Sequence, residues 1–140
     1  MKVLLPVLFL LCLPAKTAAQ QQHTIQTPII IIDGLEIPYD MLTRFDASLI
    51  ERMDALTKDN ATYEYGDRGT AGVIKLTLKE PYPLVTLNGT ELPEGSRLKD
   101  LKTGPLLSIT GLKPEDARAR FGEKGANGAI IIFEKIPETE

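Results

Sequence analysis

Tyr65-Gly-Asp-Arg-Gly-Thr-Ala-Gly-Val-Ile74 and Phe121-Gly-Glu-Lys-Gly-Ala-Asn-Gly-Ala-Ile130 match position for position at an offset of 56 residues. In both, an aromatic residue precedes three glycines spaced by three, and an apolar run follows. That order predicts a helix ending at Gly66 or Gly122, a tight turn through Gly69-x-x-Gly72 or Gly125-x-x-Gly128, and then a strand. Upstream, Thr27-Pro-Ile-Ile-Ile-Ile-Asp-Gly-Leu-Glu-Ile-Pro38 matches Tyr82-Pro-Leu-Val-Thr-Leu-Asn-Gly-Thr-Glu-Leu-Pro93 at an offset of 55. One residue has been gained between the matched ends, which predicts a loop there. The chain is a duplication of one supersecondary unit.

Each copy reads as strand, turn, short helix, strand, helix, turn, strand. Ile29–Ile32 and Leu84–Leu87 open the copies and run into Asp33-Gly34 and Asn88-Gly89, the strongest short-range turn signal. Ile29–Ile32 is apolar at every position, so both of its faces are expected to be covered. Arg52–Leu56 and Leu106–Thr110 are the next strands, and Val73–Leu78 and Ala129–Phe133 the closing ones. Asp59 and Lys113-Pro114-Glu115-Asp116 open helices, with Pro114 at a first helical position and acids beside the positive helix start. Asp46 is placed to cap a short helix at Ala47–Leu49. Repeat 1 spans 27–80 and repeat 2 spans 81–136, divided at Glu80-Pro81-Tyr82-Pro83, because paired prolines do not continue a ladder. The expected fold is α+β: two tandem β-α-β-α-β repeats packed as one pseudo-symmetric body, between a polar leader at 20–26 and an acidic tail at 137–140.

Residues 1–19 read as a secretory signal peptide, with a basic start, an apolar run and small residues before a cleavage after Ala19. The run is near twelve residues and carries two prolines, short of the roughly 20 that span a bilayer. Cys12 follows Leu11 deep in that run, a poor context for lipid attachment. Removing 1–19 takes Lys2 and Lys16 from the 16 Lys+Arg, so 19 Asp+Glu outnumber the 14 basic residues left, and no cysteine remains. An acidic, disulfide-free exported domain suits a bacterial envelope and opposes nucleic-acid binding. No transmembrane segment is expected in the mature chain.

The residues that usually run a reaction are scarce. Glycine-rich loops cradle phosphate when they open a helix, whereas these close one and carry Asp67 and Glu123 inside. His23 is the one histidine, and it lies in the leader. Ser48, Ser96 and Ser108 stand in no nucleophile elbow, and zinc-ligand sets are missing. Paired carboxylates are the remaining route to catalysis. No catalytic residue, cofactor or metal ligand is therefore assigned. Arg118, Arg120 and Lys124 interleave with Glu115, Asp116 and Glu123, which reads as a salt-bridged helix surface. Tyr39, Tyr63, Tyr65 and Tyr82 read either as a contact patch or as buried rings with bonded tips.

Pro28-Ile-Ile-Ile-Ile-Asp-Gly34, Leu49-Ile-Glu-Arg-Met-Asp-Ala-Leu-Thr-Lys-Asp59 and the two glycine motifs together resemble the plug domain of TonB-dependent outer-membrane receptors, once per copy across 27–135. Similar plug-like repeats occur at the end of some envelope-anchored signalling peptidases. A receptor's barrel needs about 22 strands, so the resemblance implies a plug fold without its barrel. It also implies a periplasmic or outer-membrane-associated place and a docking role with no catalytic residues. An envelope protein, either an outer-membrane receptor or an anchored peptidase, is the expected partner. Sheet edges accept added strands, and the closing strands are read as the edges, with Ile130, Ile131 and Ile132 as the docking edge. The alternative is a periplasmic carrier of a glycan or metabolite, using a cleft between the copies.

Overall fold

The computed structural model describes residues 26–138. The expected signal peptide with its cleavage after Ala19, most of the polar leader and the end of the acidic tail lie outside the described residues. The first unit contains β1 (Ile29–Ile32), β2 (Leu35–Ile37), β3 (Ile50–Leu56), α1 (Lys58–Tyr65) and β4 (Val73–Leu78). The second contains β5 (Leu84–Leu87), β6 (Thr90–Glu91), β7 (Leu106–Leu112), α2 (Pro114–Phe121) and β8 (Ala129–Glu134). Each unit forms a four-stranded mixed sheet, in the orders β2-β1-β4-β3 and β6-β5-β8-β7. The fold is α+β, built from two similar tandem units.

Local chemistry accounts for the elements. Asp33 and Gly34 have φ of 45° and 84°, and Asn88 and Gly89 have 50° and 83°. Two successive left-handed residues make the turn whose twist suits a hairpin. The chain therefore returns at once as β2 or β6, two short strands that the sequence reading lacks. The short helix expected at Ala47–Leu49 is a 3-10 turn, the second of three in the connectors, between Tyr39–Arg44 and Leu98–Asp100. Asp46 does cap the middle one, accepting the Ser48 N–H at 2.8 Å. Pro114 occupies the start of α2 as expected. Both helices end at glycines of nearly identical geometry, Gly66 (φ 64°, ψ −148°) and Gly122 (φ 66°, ψ −145°). Past them the chain folds back under the helix. A Cβ on Gly69 would strike the Ala61 carbonyl, and one on Gly125 the Ala117 carbonyl.

The closing strands are central, which overturns the docking edge assigned to Ile130–Ile132. β8 is parallel to β5 on one side and antiparallel to β7 on the other, and β4 sits likewise between β1 and β3. Ile130 and Ile132 are fully buried and Ile131 is 6% exposed. Over Ala129–Ile132 both ladders are filled, so this stretch offers no open side to a partner strand. The edges are β2, β3, β6 and β7.

Strand alternation sends one face of each sheet into a core shared by both units. Ile30, Ile32, Leu76 and Leu78 meet Val85, Ile109, Ile130 and Ile132 there. The other face of the first sheet packs Ile29 and Val73 against Ala61 of α1. The four consecutive isoleucines of β1 are thus covered on both sides, as their composition requires. The connectors between hairpin and third strand lock the units together. Phe45 forms an isolated parallel bridge to Gly111, with the Asp46 N–H donating to the Gly111 carbonyl at 3.1 Å. Leu49 of the first unit lies over Gly128 of the second. Among the described residues, no helix is long and apolar enough to cross a membrane.

Candidate functional site

The helix-bearing outer faces of the two sheets have the same backbone and different chemistry. In the first unit, ladder register puts Asp54 beside Lys75 and Arg52 beside Thr77. Arg52 Nε lies 2.8 Å from Asp54 Oδ2, and Lys75 Nζ lies 3.1 Å from Glu64 Oε2. Lys75 also sits 5.8 Å from the centre of the Tyr65 ring. The hydrogen bond to Glu64 pushes the Lys75 ammonium above its ordinary pKa, so it stays charged through neutral pH. Arg68 pairs with Glu36 across the turn. A shallow hollow of about 450 Å³ lies among these groups. Exposed pairs of this kind contribute about 0–1 kcal/mol each, so they define a surface more than they hold the fold.

In the second unit, Ser108, Thr110, Ile131 and Phe133 occupy the positions of Arg52, Asp54, Lys75 and Thr77. One ion pair is repeated: Lys124 Nζ to Glu91 Oε2 at 2.7 Å, the counterpart of Arg68–Glu36. The charges of Arg52, Asp54 and Lys75 are gone, and Arg120 stands where the first unit has Glu64. Exposed apolar side chains appear in its place: Leu107 at 62%, Phe133 at 41% and Ile136 at 69%. The register sets Ser108 opposite Phe133, so Leu107 and Phe133 are near neighbours at the end of the sheet. Their counterparts in the first unit are Glu51, Thr77 and Glu80, all polar.

A second cluster forms where the units join. The Tyr82 hydroxyl accepts the Leu98 N–H at 3.2 Å, and the Arg97 guanidinium stands 4.7 Å above the Tyr82 ring. Burial pushes the Tyr82 phenol well above its usual range, so it remains neutral. Arg97 pairs with Glu80, which raises the guanidinium further. This arrangement fastens the second connector to the unit boundary.

The turn residues assigned from sequence fall where expected. Asp33, Gly34, Asn88 and Gly89 make the hairpins. Gly66 and Gly122 end the helices, Gly69 and Gly125 lie against them, and Gly72 and Gly128 lead into β4 and β8. Two of these residues do more than turn the chain. Asp33 Oδ1 accepts the Leu78 N–H at 3.4 Å and Asn88 Oδ1 accepts the Glu134 N–H at 2.9 Å. Each hairpin is thereby tied to the far end of its closing strand. The four tyrosines do not share one state: Tyr39 and Tyr63 are exposed, whereas Tyr65 and Tyr82 are half-buried. Ser48 and Ser96 belong to turns, Ser96 Oγ donating to the Pro93 carbonyl at 2.6 Å. Among the described residues, no group of three or more His, Cys, Asp or Glu is placed to hold a metal ion.

Leu107, Phe133 and Ile136 escaped the sequence reading. Their signal was there: aligned on the repeat, each replaces a polar residue of the first copy with an apolar one. Comparison with protein-family models, curated proteins and solved structures finds no match for this chain.

Proposed function

We propose that this chain is an exported, non-catalytic docking module of the bacterial cell envelope. It engages an envelope protein, a receptor or an anchored peptidase, through the outer face of its second sheet. The observation that carries this reading is the exposed set Leu107, Phe133 and Ile136, standing where the first unit has Glu51, Thr77 and Glu80. Leu107 and Phe133 stand on neighbouring strands and Ile136 follows β8 by two residues. Exposed apolar side chains of this kind suit a contact surface, and the duplicated unit supplies an internal control with polar residues at the same positions. The resemblance to receptor plugs supports the compartment and the docking role. A cross-linked pull-down from intact envelopes tests the reading. One specific partner is expected with the natural chain, and it is lost with the Leu107→Ser/Phe133→Ser variant while the thermal midpoint stays near the natural value. Equal capture by both proteins would refute the surface.

A small-ligand carrier is the second reading, favoured by a hollow of about 470 Å³ between the units. Ser48, Lys79, Glu80, Lys113 and Glu115 are among its lining residues. A thermal shift with an envelope glycan or metabolite, abolished by Lys113→Glu, would support that reading instead.

A further inference from the structure

We propose that β3 is a dimerisation edge, pairing antiparallel with β3 of a second copy of this chain in a register centred on Met53. The inference goes beyond the docking reading and uses the opposite unit of the molecule.

The starting point is an inequality between equivalent edges. β7, the outer strand of the second sheet, is covered by the first unit's connector. Phe45 bridges Gly111, its ring stands 2.9 Å from where a Gly111 Cβ would lie, and Ile109 is fully buried. The corresponding positions on β3 are Ala55 for Gly111 and Met53 for Ile109. Glu51 through Ala55 are all exposed, and Met53 is 66% exposed. Ala55 carries the methyl group whose absence at Gly111 admits the Phe45 ring. Residues 102–105, Lys-Thr-Gly-Pro, replace the Asp46-Ala-Ser-Leu49 segment that caps and seals the other side. The second unit's connector therefore does not return the cover that it receives.

The sequence of this open edge is self-complementary. In Arg52-Met-Asp54, past the register slip that follows Ile50, a register centred on Met53 sets Arg52 opposite Asp54 of the second copy, twice. Met53 lies opposite Met53, on the same face as its own ladder partner Leu76, which is buried in the shared core. Directly opposed residues on antiparallel strands point the same way and hold their Cβ atoms about 4.5–5.5 Å apart. Shifting the centre to Arg52 opposes arginine to arginine, and shifting it to Asp54 opposes aspartate to aspartate, both unfavourable. Arg52 and Asp54 already reach one another along the strand at 2.8 Å, so the exchange across the two-fold axis needs no charge buried unpaired. Soluble proteins ordinarily place on an edge strand charges that repel a like copy. β3 carries a pair that attracts one, while β7 has the neutral Ser108 and Thr110 at those positions.

Sedimentation velocity of the purified protein across the micromolar range reads the dimer directly. A concentration-dependent dimer is expected, weakened about tenfold or more by Arg52→Asp and restored by the charge-swapped Arg52→Asp/Asp54→Arg. Register is read by disulfide trapping. Met53→Cys closes a symmetric disulfide dimer on mild oxidation, since opposed Cα atoms fall within the span that a disulfide needs, and Ala55→Cys does not. A monomer at every concentration, an unchanged dimer in Arg52→Asp, or equal trapping at positions 53 and 55 each overturns the proposal. A monomer that still captures an envelope partner would leave the docking reading intact.

Discussion

The two units repeat each other's backbone almost degree for degree, yet they treat their surroundings differently. Gly66 and Gly122 agree within 3° in both angles, and both third strands slip register at the same place, Ile50/Arg52 and Leu106/Ser108. Residues that set the path of the chain are held in both copies: turn pairs, helix-end glycines, and alanines beneath glycines. Several outward-facing residues have been exchanged: Arg52, Asp54 and Lys75 of the first unit give way to Ser108, Thr110 and Ile131, and Glu51, Thr77 and Glu80 to Leu107, Phe133 and Ile136. The comparison separates what the fold requires from what the surface is for.

The largest test of that separation is the connector. Phe45 is 7% exposed and fills the seat above Gly111, so Phe45→Ala is expected to cost about 3–5 kcal/mol. Its counterpart Leu101 is half-buried, and Leu101→Ala should cost less than about 2 kcal/mol. Urea midpoints of the two variants measure the difference. Equal losses would mean that the connectors are equivalent after all.

Gly69→Ala and Gly125→Ala probe where the units should agree. Each new methyl meets helix backbone, which cannot swing aside as a side chain can, so each should cost about 1–3 kcal/mol by forced repacking. Similar thermal midpoints for the pair are the expected result. A loss confined to one would show that its helix is packed more tightly than its twin.

Tyr82 has Thr27 at its counterpart position, so its effect belongs to one side. Tyr82→Phe removes the acceptor of the Leu98 N–H and should destabilise by about 1 kcal/mol. Hydrogen exchange at Leu98 should accelerate while exchange at Leu42, the matching position of the first connector, stays unchanged.

The smallest effect is in acid. Hydrogen bonding from Ser48 holds the Asp46 carboxyl below its ordinary 3.8. A lowered carboxyl stabilises the fold fully above the unfolded value and loses that contribution as pH falls through the folded one. The loss therefore lies below about pH 4. Asp46→Asn keeps a capping oxygen and should show less destabilisation than the natural chain between neutral pH and about pH 3. Lys102 stands at the matching position of the second unit, which has no capping carboxyl there.

Much of the fold was legible because the repeat prints it twice. Offsets of 55 and 56 marked the opening and closing segments of each copy and the residue gained in the second copy between Pro93 and Phe121. Asp-Gly, Asn-Gly, Pro114 and the triple glycines marked their turns by local chemistry alone. Strand order was not local in that sense. Chain order does not tell an edge strand from a central one, and here composition is the better guide. Ala129-Ile-Ile-Ile-Phe133 is apolar on both faces, the mark of a central strand, whereas Glu51-Arg-Met-Asp54 carries the charge of an edge. The short strands β2 and β6 were hidden because Pro38 and Glu91-Leu-Pro93 follow the turns so closely. The candidate surface was legible only as a difference, since Leu107 or Phe133 alone is an ordinary exposed side chain and gains meaning from the polar residue in the other copy.

The bridge from Phe45 to Gly111 also bears on how such a chain is free to vary. Two separate, identical subunits would have to fill both equivalent seats or leave both empty, because one mutation changes both. Joined in one gene, the copies answer to different constraints. Position 111 must stay glycine while position 45 stays aromatic, a coupled pair spanning the duplication. Position 55, paired with Ile74 in its ladder yet exposed, carries no such coupling across the duplication, and fusion has made it available for a new use.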